Sequence, residues 1–245
     1  MPQLNYDRPI AITRDIHWVG FHDAEANLHC NPYLLIDDED VVVFDPGSIP
    51  HFPIVTRKII DLVKPQEITL IIAHHQDPDV CGNLPVIEDV IGRDDLRIAA
   101  SLNTIRLIRH YGIKSKFHDT SQQGGKLSLR SGRELQFIPT PYLHAPGAIV
   151  TYDTKSRSLF SSDLFGAIDH NWALYAGDHF PQSMDSWHQQ YMPSNTILAP
   201  AMARLSQLQI DRILPQHGSI IEGEQVKVAI EHLRQLPCGL DLKRD

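Results

Sequence analysis

Apolar and polar positions alternate in short blocks along the first part of the chain. The runs ITRDIHWVG, PYLLIDD and DVVVFDPG are rich in β-branched and aromatic residues and are separated by polar or turn residues, which predicts an antiparallel meander. The period then changes. PIVTRKIIDLVK repeats apolar residues at helical spacing and EITLIIAHH is a β-branched run, so a helix followed by a strand is expected. The alternation continues with a helix over 101–112 (SLNTIRLIRHYG), strands at KLSLRSGRELQFIPTP, AIVTYDT and SLFSSD, and helices near 184–208 and 223–235. Strand runs bracketed by helices in both halves predict an α/β fold of four layers, αββα, with two sheets face to face and helices on both outer faces. No low-complexity linker, internal repeat or Pro/Gly hinge divides the chain, so residues 1–245 read as a single domain.

Composition narrows the classes of function. Of 245 residues 42% are hydrophobic, enough for a sizeable core. The formal net charge of -8, with no basic run beyond the terminal LKRD, argues against nucleic acid or an anionic membrane as partner. No apolar stretch reaches the roughly 18 to 20 residues that span a bilayer. The opening MPQLNYDRPIAITRDI also lacks a signal peptide's apolar segment, so the expected location is cytoplasmic. Cys30, Cys81 and Cys238 are scattered and odd in number, which fits a reducing compartment and no disulfide framework. Fourteen histidines are many for this length, and they matter if some of them converge.

One stretch concentrates the chemistry. In IIAHHQDPDVCGNLP, residues 71–85, two histidines and two aspartates follow directly on an apolar run. Alone, HHQDPD reads as a turn, because Asp-Pro and Asn are turn formers. Three further segments change that reading. Each ends an apolar run with one ligand type before a Gly- or Pro-containing turn: TPYLHAPGA with His144, SLFSSDLFG with Asp163, and DRILPQHGS with His217. Together with His75, Asp77 and Asp79 they give six candidate metal ligands from four strand ends.

Taken in order, HHQDPDVCGN, TPYLHAPGA, LFSSDLFG and ILPQHGS resemble the metallo-β-lactamase superfamily. Within it the resemblance is to the diiron domain of flavodiiron proteins and to the stand-alone oxygen-binding diiron proteins related to them. It spans nearly the whole chain and includes NPYLLIDDEDVVVFDPGS, which is similar to the early hairpin that carries a supporting aspartate, here Asp45. The resemblance implies two non-heme irons, the first held by His75, Asp77 and His144, the second by Asp79 and His217, with Asp163 bridging. Hydrolytic members carry His-x-His-x-Asp-His, a nitrogen-rich set suited to zinc. Here Asp77 stands at the second histidine, and three carboxylates with three histidines favour iron, zinc being a substitute. Flavodiiron relatives generally carry glutamate where Asp77 stands. Val80 occupies the place of a family histidine on the second metal, which leaves either an open coordination place for a small ligand or a weakened second site.

Other candidates surround this set. Cys81 reads as a small packed residue or as a redox-sensitive neighbour. His74 follows the opposite strand face from His75 and is expected in packing or a hydrogen bond. His22 and His29 lie in GFHDAEANLHCNP, a loop that the resemblance brings near the diiron pocket. Tyr191, the one candidate catalytic residue, and Phe165 could line that pocket, the tyrosine hydroxyl donating to a bound oxygen species. His17, His51, His110, His118, His170, His179, His188 and His232 are left to surface or packing.

The functional expectation is a diiron protein that binds dioxygen and acts as an oxygen sensor or carrier, with a signalling partner. The chain has no room for a flavodoxin domain and no phosphate loop for FMN. The alternatives are an oxygen or nitric oxide reductase fed by a separate electron-transfer partner, and a zinc-dependent hydrolase. A homodimer is expected from the pairing of flavodiiron relatives.

Overall fold

The computed structural model describes residues 4–22, 29–168 and 172–242. The predicted meander is present as β1 (Ile10–Ala11), β2 (Ile16–Trp18), β3 (Tyr33–Asp37) and β4 (Asp40–Phe44), each antiparallel to the next. ITRDIHWVG therefore holds the turn and the second strand of a hairpin rather than one long strand. The β3–β4 connection is tight, with Asp37 paired to Asp40 and Asp38 at φ 47, a conformation that Asp tolerates better than most residues. The chain continues through α1 (Phe52–Ile60), β5 (Ile68–Ile72), α2 (Pro78–Cys81), α3 (Leu84–Ile91), β6 (Arg97–Ala100), α4 (Leu102–Ile108) and β7 (Lys116–Asp119). β4 to β7 run parallel and complete a seven-stranded sheet in the order β1 to β7.

The second half repeats the theme with a different order. It comprises β8 (Lys126–Ser128), β9 (Glu134–Pro139), β10 (Ile149–Asp153), β11 (Ser158–Ser162), α5 (Asp185–Tyr191), α6 (Asn195–Leu205), β12 (Arg212–Pro215), β13 (Ile221–Glu222) and α7 (Glu224–Gln235). Its six strands run β13-β12-β11-β10-β9-β8, and only the β11–β12 pair is parallel. β4, β5, β10 and β11 are buried at every residue, which is why β4 (DVVVF) and β5 (ITLII) read as apolar runs and not as alternating ones.

Three apolar clusters hold the four layers together. Between the sheets, Trp18, Leu35, Val42, Phe44 and Leu70 meet Leu135, Phe137, Phe160 and Leu214. Phe44 of β4 and Phe160 of β11 stack with centroids 3.6 Å apart. Outside the first sheet, Val43, Ile71 and Ile98 pack against Val55, Ile59, Leu84, Ile87 and Ile105 of the helices. Outside the second, Val150, Leu159 and Ile213 pack against Trp187, Leu198, Met202, Ala229 and Leu233. This is the αββα arrangement the pattern predicts. α3, β6, β7 and β13 went unread: β7 is a polar edge strand (KFHD), and the others are too short to show a period.

One charged group pins the sheets at the end where β3, β9 and β10 meet. The Arg133 guanidinium is fully buried and reaches Asp153 at 2.9 and 2.5 Å, Asp37 at 3.0 Å and Asp15 at 3.0 Å. Lys155 adds a bond to Asp37 at 2.9 Å. Burial pushes the Asp37 and Asp153 carboxyls up, but these partners outweigh it and hold both below the usual range. Two depressed carboxyls contribute stability that is present above the unfolded-state value and disappears as pH falls through the folded one. Arg133→Met is expected to destabilise the fold by about 3 to 5 kcal/mol, because buried carboxylates lose their partner. Urea unfolding at neutral pH measures that loss, and the variant should recover part of it as the carboxyls protonate in acid. An unchanged urea midpoint would show the cluster to be energetically idle.

Candidate metal centre

The six candidate ligands come from strand ends that the two-sheet packing brings to one edge. His75 follows β5, and α2 begins directly after Asp77. An Asp before a helix ordinarily caps it by accepting a first-turn amide. Asp77 makes no such cap, and its Oδ2 lies 3.5 Å from the Nε2 atoms of both His75 and His144. His144 comes from the loop between β9 and β10, Asp163 from the end of β11, and His217 from the end of β12. Gly218 follows at φ 82, and a side chain there would strike Ala167 at 2.8 Å, so the turn that aims His217 requires glycine.

Asp163 occupies the middle. Its Oδ2 lies 2.8 Å from His144 Nε2 and 3.5 Å from His75 Nε2, while its Oδ1 lies 3.6 Å from His217 Nε2. Asp79 Oδ2 approaches His217 Nε2 at 3.1 Å from the other side. Two groups result, one of His75, Asp77 and His144, the other of Asp79, His217 and Cys30, with the ligand atoms in each within 4.8 Å of one another. Asp163, His75 and His217 are buried, whereas Asp77, Asp79 and His144 are partly open to solvent.

The far sides of the ligand rings are fixed. The His217 Nδ1–H donates to the His29 carbonyl at 2.7 Å, and His75 Nδ1 lies 3.2 Å from Ser162 Oγ. These contacts leave each Nε2 free to face the centre. His75 Nε2, His217 Nε2 and Asp163 Oδ1 are indeed buried without a hydrogen bond. Burial alone would lower the pKa values of His75 and His217, but the Asp163 carboxylate, helped by Asp77 and Asp79 respectively, raises both well above the imidazole range. The converse holds for Asp163, which burial would raise and which His75, His217 and His144 hold well below the carboxylate range.

Residues behind the centre divide into expected and unexpected. His74 turns away from it, as the strand alternation predicts, with Nδ1 2.6 Å from Asp45 Oδ2 and Nε2 2.9 Å from Thr151 Oγ1. Asp45 thus supports the strand that carries His75 and not the ligand ring itself. The Cys81 thiol donates to the Asp77 carbonyl at 3.3 Å and is pushed up by burial, which fits a packed residue. Tyr191 is half-exposed, its ring 5.8 Å from His144 and stacked at 4.2 Å on Trp187. Phe165 is buried in the cluster under α5, and its amide donates to His188 Nε2 at 3.2 Å. His188 is therefore an internal strut, with burial lowering its pKa to about 4. The His22 ring stacks on Trp172 and the His29 ring lies tilted against it, and His29 reaches the centre through its carbonyl. Residues 23–28 of that loop, His170 and the terminal Lys-Arg-Asp lie outside the described residues.

Trp187 was not singled out from the sequence, although Tyr191 four residues on was. Its Nε1–H donates to the Asp163 carbonyl at 2.9 Å and its ring lies 4.9 Å from that of His217. Ser162 and Cys30 were also missed. A serine preceding a ligand and a lone cysteine between His29 and Asn31 carry no sequence signal of their own.

Comparison with known proteins identifies the fold and the family. The apo state of the chemotaxis sensor ODP from T. denticola superposes with a TM-score of 0.81 at 29% identity, over 95% of both chains. A structure of the peroxy diiron species of chemotaxis sensor ODP gives 0.78 at 28% identity, over 95% of this chain and 97% of that one. The Type A flavoprotein fprA of Rhodobacter capsulatus is 26% identical over 93% of this chain but 55% of its own length. The chain spans 33 to 57% of the length of this and two further curated relatives. The model of the ODP family beta lactamase matches residues 28–218, most of the sequence and a span that contains the six converging side chains, and the chain belongs to that family.

Proposed function

We propose that the chain is a non-heme diiron protein that binds dioxygen and serves as an oxygen sensor or carrier. The observation that carries this reading is the position of Asp163, with one carboxylate oxygen facing His75 and His144 and the other facing His217. The donor set fits a pair of irons: three buried atoms lack hydrogen bonds, both buried imidazoles present Nε2 inward, and carboxylate oxygens suit iron as well as imidazole does. His75, Asp77 and His144 would hold the first ion, Asp79 and His217 the second, and Asp163 both. Ferrous ions held there would supply electrons to a small diatomic ligand.

The chain's own residues do the rest. The His29 carbonyl fixes the tautomer of His217, Ser162 orients the His75 ring, and Trp187 holds the backbone of Asp163. Tyr191, at the open rim beside His144, is placed to offer its hydroxyl to a ligand entering from solvent. Val80 is fully buried in the apolar cluster under the first sheet, so it withholds a donor from the second ion. Two of the solved relatives are structures of a chemotaxis sensor, which supports a signalling partner. The reading takes residues 1–245 as one diiron domain that holds no FMN, working as a cytoplasmic homodimer. Among the described residues no helix is long and apolar enough to cross a membrane.

Anaerobic titration with ferrous iron should saturate at two equivalents per chain, and admitting air should change the visible absorption. Asp163→Asn should abolish the second equivalent, and Val80→His should alter the response to air. Uptake of one equivalent or none, or a spectrum indifferent to air, would sink the diiron reading. Steady consumption of oxygen or nitric oxide with a supplied electron donor would turn it into a reductase, and turnover of an ester or lactone into a zinc hydrolase.

Metal uptake should also depend on pH in a defined direction. In the metal-free protein the neighbouring carboxylates favour the protonated forms of His75 and His217, and a metal must displace those protons. Apparent affinity should therefore rise with pH by about tenfold per unit for each proton displaced. Proton release into weak buffer on adding ferrous iron measures the number, and a pH-independent affinity would contradict the protonated state assigned to both rings.

A further inference from the structure

Cys30 is the one member of the two ligand groups that the motif pattern does not supply. Its sulfur lies 4.0 Å from the His217 ring, at Nδ1, and belongs with Asp79 and His217 to a set of ligand atoms mutually within 4.8 Å. The residue is buried and its segment is clamped around His217. The His29 carbonyl accepts from the ring, the Asn31 side chain donates to the carbonyls of Pro215 and Gly218 on either side, and the Asn31 amide donates to Gln216. On the other flank Cys30 forms an isolated bridge with Phe21. Gly20 permits the close approach of this segment, since a side chain there would meet the Cys30 carbonyl at 2.2 Å.

Two facts turn this proximity into a ligand. His217 Nε2 is fully buried, faces the centre and makes no hydrogen bond, so something is required at that place. Val80 shares an apolar cluster with Cys30 and offers nothing that can coordinate. A metal bonded to thiolate and imidazole holds the sulfur and nitrogen roughly 3.6 Å apart. The 4.0 Å contact is to Nδ1, on the side bonded to His29; as a set, the ligand atoms of Cys30, Asp79 and His217 lie within 4.8 Å of one another, wider than a bound metal would hold them, so the sulfur would move inward on metal binding. We propose that Cys30 is a thiolate ligand of the second metal, taking up the coordination left unfilled by Val80. The thiol proton passes to solvent as the metal–sulfur bond forms. The second site then differs in kind from the first, soft sulfur beside two carboxylates and one imidazole against an all-nitrogen-and-oxygen set. Cys81, whose thiol is committed to the Asp77 carbonyl, does not take this role.

The proposal rests on the two-metal reading, and cobalt(II) separates the two. Anaerobic loading of the full chain with cobalt should reach two equivalents and produce a thiolate-to-metal charge-transfer band in the near ultraviolet. The band should persist in Cys81→Ala and vanish in Cys30→Ser, with second-equivalent affinity falling at least about tenfold and the first unchanged. X-ray absorption of the loaded wild type should show one sulfur shared over two cobalts, a readout that needs no variant to fold. Two equivalents without a sulfur signal, or a band that survives Cys30→Ser, would overturn the cysteine ligand and leave the two-metal reading standing. Failure of the wild type to take two equivalents would overturn both.

Discussion

A carboxylate placed out of water among three imidazoles is the constraint around which the rest is arranged. Asp163 is buried, and an isolated charge at such depth is costly unless it is paired on every side. Its two oxygens face different histidines, so neither set can be removed without stranding it. The backbone is shaped to hold it there. Ser162, immediately before it, lies at φ 50, a conformation that costs energy in a non-glycine residue and persists only where neighbours enforce it. Those neighbours are identifiable: Trp187 binds the Asp163 carbonyl, Ser161 Oγ–H donates to Leu164, and His188 accepts the Phe165 amide. The turn after β11 is thus tied to α5 by Trp187 and His188 and closed on itself by Ser161.

Burial is graded across the centre, and the gradient has chemical meaning. His75, His217 and Asp163 form a closed floor, while Asp77, Asp79 and His144 make a rim that solvent reaches. Ions would enter over the carboxylates and settle against the buried imidazoles, which must then release their protons. A floor of preformed, correctly oriented nitrogens lowers the reorganisation that binding demands, because the rings are already fixed from behind. The second ion is the less well served, since Val80 adds an apolar wall where a nitrogen would strengthen the hold.

The layers and the ligands were legible for different reasons. Buried central strands such as DVVVF and ITLII announce themselves by unbroken apolar runs, and the ligands by polar residues placed where those runs stop. Elements without a period, such as the four-residue strand KFHD or the four-residue helix of Pro78–Cys81, leave no trace that composition can detect. The supports of the centre were illegible because their roles depend on contacts distant in sequence. Trp187 meets Asp163 across 24 positions and His29 meets His217 across 188. His29 also acts through a main-chain carbonyl, which its residue type cannot reveal. The alternation rule nonetheless placed His74 correctly behind the strand, because that inference needs only the pleat.

A comparison within the molecule explains why one charged cluster is structural and the other chemical. Asp15, Asp37 and Asp153 gather around Arg133 and Lys155, cations that keep their charge at any pH where the protein is folded. Nothing further is needed there, and nothing could enter without ejecting a guanidinium that makes bonds to three carboxylates. Asp77, Asp79 and Asp163 gather instead around imidazoles. An imidazole can surrender its proton and become a ligand in the same place, so its positive charge is exchangeable for that of a metal. With equal numbers of carboxylates, the choice of cation decides the outcome: arginine closes a site, and histidine leaves it open to substitution. That difference, and not the acidity of the pocket, is what suits the edge near Asp163 to hold a metal.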